Sequence, residues 1–108
     1  MIYELRTYWA APGKAEVLHE RFRSLTLGLF ARHNMQVVGF WTPDDPEKDG
    51  ALIYMMAYAS RDALQESWTA FRADEDWRSG KAASEVDGVL TARVESLILT
   101  ATDYSPLQ

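Results

Sequence analysis

The chain of 108 residues contains no cysteine. That excludes disulfides, thiolate nucleophiles and sulfur-held zinc or iron–sulfur sites together. No apolar run approaches the ~20 residues of a membrane-spanning helix. Positive charge is scarce, and the net charge is −5. That balance argues against a nucleic-acid backbone or an anionic membrane as partner, since both favour basic patches. Only two histidines occur, His19 and His33. On one expected helix they would lie roughly 20 Å apart, too far to share an ion. No metal and no cofactor is expected. A glycine-rich phosphate loop, a nucleophile elbow and a metalloprotease motif are all missing. The first residues enter a strand without a basic region and an apolar run, so no secretory signal is expected and a cytoplasmic setting fits.

Hydrophobic residues, by contrast, make up 47% of the chain and aromatic ones 12%, enough for a real core. With no linker and no low-complexity tract, residues 1–108 are expected to form one domain. A domain of this size buries only about two-thirds of its unfolded surface, so further burial by self-association is an expectation.

The opening stretch, MIYELRTYW, alternates. Strand side chains switch faces at every residue. Tyr3, Leu5, Thr7 and Trp9 therefore share one face, and Ile2, Glu4, Arg6 and Tyr8 the other. Pro12 and Gly13 then lead into a helix over about 14–33, proline being tolerated in a first turn. Its apolar stripe is Leu18, Phe22, Leu25 and Leu29. Glu16, Glu20, Arg21, Arg23 and Arg32 occupy much of the remainder. Gly28 marks a weak point or a close contact, and Asn34 a left-handed stop.

Residues 35–42 read as a second strand and 51–59 as a third. The loop between them holds Asp44, Asp45, Glu47 and Asp49. It lacks the spacing of a calcium-binding EF-hand and reads as a solvated turn closed by Asp49-Gly50. Ser60 caps a helix over 61–73, whose buried face is Leu64, Trp68 and Phe71. Asp74 opens a shorter helix to about Ser84, weakened by Gly80. Residues 89–100 form the fourth strand, and 102–108 an extended tail.

This order, strand–helix–strand, hairpin, strand–helix–strand, is the split βαβ, ferredoxin-like arrangement of an α+β protein. Its four-stranded antiparallel sheet runs 4-1-3-2, with helices on one face. Assigned by apolarity, Tyr3, Leu5 and Thr7 face the helices, as do Leu90, Ala92, Val94 and Ile98. Glu4, Arg6, Tyr8, Thr91, Arg93 and Glu95 then fall on the uncovered face, with Tyr54, Met56 and Tyr58. An apolar surface carrying such charges marks an interface or a ligand cleft.

Several motifs together resemble the NIPSNAP family of the dimeric α+β barrel group. They are Tyr3-Glu4-Leu5-Arg6-Thr7-Tyr8, Pro12-Gly13-Lys14, Gly39-Phe40-Trp41, Tyr58, Asp76-Trp77, Glu95-Ser96 through Leu99, and Tyr104-Ser105-Pro106. Met56 departs from the pattern, where tryptophan is common. The resemblance implies a ferredoxin-like fold and a sheet-to-sheet homodimer, and it lends no catalytic residues. Related barrels include cofactor-independent oxygenases, dehalogenating and haem-binding proteins, and small-molecule binders.

The candidate ligand-binding residues are Glu4, Arg6, Tyr8, Tyr54, Tyr58, Arg93 and Glu95. A half-buried arginine can hold an anion by paired hydrogen bonds, with a glutamate as base. The same charges can instead cancel as cross-strand ion pairs that fix register. His33 can serve as a base or ligand, or simply complement a helix C-terminus. Three functional readings follow: a homodimeric small-molecule-binding domain, a cofactor-independent enzyme of oxygenase or isomerase type, and a structural or interaction module.

Overall fold

The computed structural model describes all 108 residues. Strand β1 (Ile2–Ala10) is followed by helical segments α1 (Ala15–Arg21) and α2 (Leu27–Arg32), then β2 (Gln36–Trp41) and β3 (Ala51–Tyr58). Helices α3 (Arg61–Ala73) and α4 (Glu75–Ser84) lead to β4 (Thr91–Thr100). The sheet order is β2-β3-β1-β4, and every pairing is antiparallel. This is the expected ferredoxin-like α+β topology, with β1 and β4 as neighbours.

The first helix is continuous over 15–32, but its middle turn, Phe22–Thr26, is a π-helix. There the Leu27 N–H donates to the Phe22 carbonyl, five residues back. The extra residue rotates the apolar stripe. Thr26 and Phe30 become buried, while Leu25 moves to the margin. Arg21, placed by the sequence among the outward residues, is buried as well. Single π turns of this kind occur often at functional sites.

The local signals elsewhere take their expected forms. Asn34 ends the first helix at φ 55°. The Ser60 side chain accepts from the Ala63 N–H at 3.1 Å, and that of Asp74 from Asp76 at 2.9 Å. Gly80 is a packing point: a methyl group there would meet the Leu25 side chain at 2.5 Å. Gly28 has open space around it and marks no close contact.

The face assignment of the central strands is reversed. Glu4 lies opposite Met56 and Ile98, Arg6 opposite Tyr54 and Ser96, and Tyr8 opposite Leu52 and Val94. These residues point toward the helices, where Tyr54 packs on Phe22 and Phe30. Tyr3, Leu5, Thr7 and Trp9 take the open face with Arg93, Glu95, Leu97 and Leu99. Apolarity misled because the Glu4–Arg6 pair brings its own neutralisation into the core. Thr91 also changes sides, because a bulge between Trp9 and Ala10 sets Ala10 opposite Thr91.

The helices roof β3 and β1 but stop short of β4, whose middle is exposed on both sides. On the open face, the Trp41 ring lies over Gly39, where a methyl group would sit 2.9 Å from the indole. The tail bends back onto one corner of this face. There the Tyr3 hydroxyl donates to the Gln108 carbonyl at 2.9 Å, beside Met55 and Leu99.

Candidate functional site

Glu4 is the centre of a polar network inside an apolar layer. Its Oε1 accepts from the Tyr58 hydroxyl at 2.9 Å and from the Trp68 indole Nε1–H at 2.8 Å. Its Oε2 accepts from Arg6 Nη1 at 2.9 Å and from the Ser96 hydroxyl at 2.5 Å. An ionised carboxylate has about four acceptor positions, so Glu4 is saturated. Burial opposes its charge. Ser96, Trp68, Arg6 and Tyr58 outweigh that, and its pKa lies below the ordinary 4.5.

Arg6 is held from three directions. Besides Glu4, its Nε donates to the Tyr54 hydroxyl at 2.9 Å and its Nη2 to the Tyr8 hydroxyl at 3.1 Å. Those two hydroxyls are 2.9 Å apart. The guanidinium also lies over the Trp68 ring, 4.3 Å from its centroid. Burial works against the Arg6 charge, but the oxygens of Tyr54, Tyr8 and Glu4 more than offset it. Burial drives the Tyr54 phenol well above its usual range. Tyr58 is pushed up by burial and by the Glu4 charge.

A cleft of about 240 Å³ opens over this network, between β1, β4 and the helices. Arg6 and Tyr8 form part of its floor. Phe22, Thr26 and Phe30 line it from the first helix, and Trp68, Trp77 and Phe71 from α3 and α4. Arg21 reaches it from the buried side of α1. Its Nη1 donates to Glu85 at 3.1 Å and to Ser84 at 3.3 Å, and its guanidinium lies 5.3 Å from the Trp77 ring centroid.

The seven sequence-predicted residues therefore divide. Glu4, Arg6, Tyr8, Tyr54 and Tyr58 come together on the helix side. Arg93 and Glu95 sit on the opposite face, bonded to each other, with Arg93 over the Trp9 ring at 4.5 Å. Neither ion pair is cross-strand. Each joins residues two apart on one strand, because i and i+2 share a face. His33 is not part of the cleft. It meets Asp74 at 2.8 Å, and Arg32 pairs with the same carboxylate at 3.1 Å. No three acidic or histidine side chains converge on a point that could hold a metal ion.

Arg21, Arg72 and Lys81 line the cleft without having been singled out as ligand residues. One signal was available. Arg21 lies three positions after Leu18 and four before Leu25, inside the apolar stripe, where a charge calls for a reason.

The NIPSNAP family model matches residues 3–106. The chain belongs to the NIPSNAP family. Among proteins of curated function, none matches this NIPSNAP chain in sequence. A NIPSNAP family protein from Agrobacterium tumefaciens is 27% identical, with a TM-score of 0.86 over 99% of this chain and 98% of that one. A NIPSNAP domain protein from Burkholderia xenovorans is 22% identical, with a TM-score of 0.83 over 98% and 99% of the two chains. A variant of a cofactor-independent oxygenase from Streptomyces nogalater shares the fold at 18% identity, with a TM-score of 0.60 over 97% and 96%. No helix of this chain is long and apolar enough to cross a membrane. A NIPSNAP family protein from Agrobacterium tumefaciens, 23% identical with a TM-score of 0.84, is described as having unknown function.

Proposed function

We propose that this NIPSNAP chain is a homodimeric small-molecule-binding domain, and that the helix-side cleft is where the ligand sits. The observation that carries this reading is the Arg6 guanidinium. It is held on three sides by Glu4, Tyr8 and Tyr54 and stacked on Trp68, at the floor of a partly open apolar cleft. Ligand sites are concave and mostly apolar, with a few fixed polar groups. A side chain locked this firmly is pre-organised, so little ordering entropy is lost when something binds to it.

The likeness to an oxygenase favours catalysis by fold alone. The chemistry of the groups favours binding. Glu4 has all its acceptor positions filled and a lowered pKa, so it is a poor base. Burial raises the Tyr54 and Tyr58 phenols, so neither loses its proton near neutral pH.

The dimer is supported by the open face. Trp41 and Leu97 are about half exposed there, at 51% and 57%. Leu5 and Leu97 lie side by side on it, and the tail reaches only one corner. A cytoplasmic setting belongs to the same proposal and fits the lack of cysteine. Native mass spectrometry of the purified protein tests the main reading. A particle of twice the chain mass with a retained small molecule is expected; an empty single chain contradicts it.

A further inference from the structure

We infer that the cleft takes a compact aromatic carboxylate, its ring against Trp68 and Trp77 and its charge among Arg21, Arg72 and Lys81. This rests on reading the cleft as a binding site and adds the chemistry of the ligand.

The first argument is charge. The chain is acidic overall, at −5. Yet the cleft is lined by Arg6, Arg21, Arg72 and Lys81 and by no carboxylate. The nearby acids are already committed. Glu4 takes Arg6 at 2.9 Å. Glu85 is shared between Arg21 at 3.1 Å and Lys81 at 2.9 Å. Arg72 has no carboxylate partner. Four cations thus face two committed anions, and one more negative charge would be welcome in the cleft.

The second argument is an unmet hydrogen bond. The Arg21 side chain is 5% exposed, and its Nε–H has no acceptor. Buried donors are nearly always paired, so an unmet one on an arginine that lines the cleft is an exception, and a ligand oxygen would reach it with a shift of the Arg21 side chain. An ionised acceptor makes the strongest bond to a guanidinium.

The third argument is shape. Trp68 has Arg6 at 4.3 Å and Arg72 at 5.5 Å from its ring centroid, and Trp77 has Arg21 at 5.3 Å. Each tryptophan of the lining therefore has a guanidinium beside its ring. A planar ring bearing a carboxylate meets both kinds of group at once. At about 240 Å³ the cleft falls below the usual range for drug-sized ligands, which limits the ligand to a compact one.

Isothermal titration calorimetry on the full chain in low salt tests this with cinnamate, its neutral isostere cinnamamide, and the non-aromatic hexanoate. Cinnamate is expected to bind about tenfold more tightly than cinnamamide, and also more tightly than hexanoate. Raising the salt should narrow the first gap. Because Arg21→Gln risks misfolding, the exposed Arg72→Gln and Lys81→Gln carry the test. Together they should remove most of the cinnamate advantage, with a melt showing the variant still folded although Lys81 gives up its pair with Glu85. Equal affinity for cinnamate and cinnamamide overturns the inference and leaves the binding reading standing. So does a cinnamate advantage that survives in the double variant. Hexanoate binding as tightly as cinnamate overturns the aromatic part. No heat with any of the three overturns the inference, and the binding reading is then judged on retained ligand alone.

Discussion

The carboxylate of Glu4 accepts the indole N–H of Trp68 at 2.8 Å, across 64 positions of sequence. One hydrogen bond thus ties the first strand to α3. The same carboxylate holds Arg6, whose guanidinium lies over the Trp68 ring. Glu4 therefore sets both members of the stack at the cleft floor.

Glu4→Gln removes the only carboxylate paired with Arg6 and leaves a buried cation. Breaking a buried pair from one side costs about 3–5 kcal/mol. Trp68→Phe keeps an aromatic ring but loses one hydrogen bond to a charged acceptor, a cost of about 1.5–3 kcal/mol, together with the packing of the larger indole. Urea denaturation should show both variants destabilised, Glu4→Gln by at least about 3 kcal/mol. A loss below about 1 kcal/mol in Glu4→Gln would mean that Glu4 is not the centre of the network.

Acid should weaken the fold through the same group. The folded pKa of Glu4 is below its ordinary value of 4.5. Its contribution is therefore present above that value and lost as pH falls through the folded pKa. Glu85 is also lowered: burial opposes its charge, but Lys81 and Arg21 outweigh that, so the sign is the same. Stability measured by urea from about pH 6 to about pH 3 should fall. In Glu4→Gln the fall should be shallower. An unchanged slope would contradict the assignment.

The two helical glycines separate propensity from packing. Gly28 is exposed, with nothing near its Cα on the side-chain side, so Gly28→Ala should stabilise by up to about 1 kcal/mol. Gly80→Ala gains the same propensity but must displace Leu25, so its net gain should be smaller or negative. Thermal melts of the two variants make the comparison.

Leu97→Glu places a charge at the middle of the open face, beside Leu5. Burying it against a second copy would be costly. Size exclusion with light scattering should give a dimer for the parent chain and a monomer for the variant. A monomeric parent would remove the homodimer.

Topology was legible because it is written in local signals. The caps at Ser60 and Asp74, the left-handed Asn34 and the Asp49-Gly50 turn each act within a few residues. The faces of β1 were not. Alternation separates Glu4, Arg6 and Tyr8 from Tyr3, Leu5 and Thr7 but does not say which set looks inward. That is decided by partners far away, Tyr54, Tyr58 and Trp68, whose polar atoms make a buried carboxylate tolerable. The π turn was equally hidden. One added residue exchanges Leu25 for Thr26 and Phe30, and no local rule marks it. Arg21 was read as an outward residue, and its burial and unpaired Nε appear only once Ser84 and Glu85 are in place.

Four tryptophans give the most direct test of where a ligand sits. Trp68 and Trp77 line the helix-side cleft, and Trp9 and Trp41 lie on the open face. A proton–nitrogen correlation spectrum resolves their indole signals during titration with cinnamate. The signals of Trp68 and Trp77 should move in a saturable way while those of Trp9 and Trp41 stay fixed. Movement confined to Trp9 and Trp41, or none at all, would contradict the helix-side cleft as the binding site.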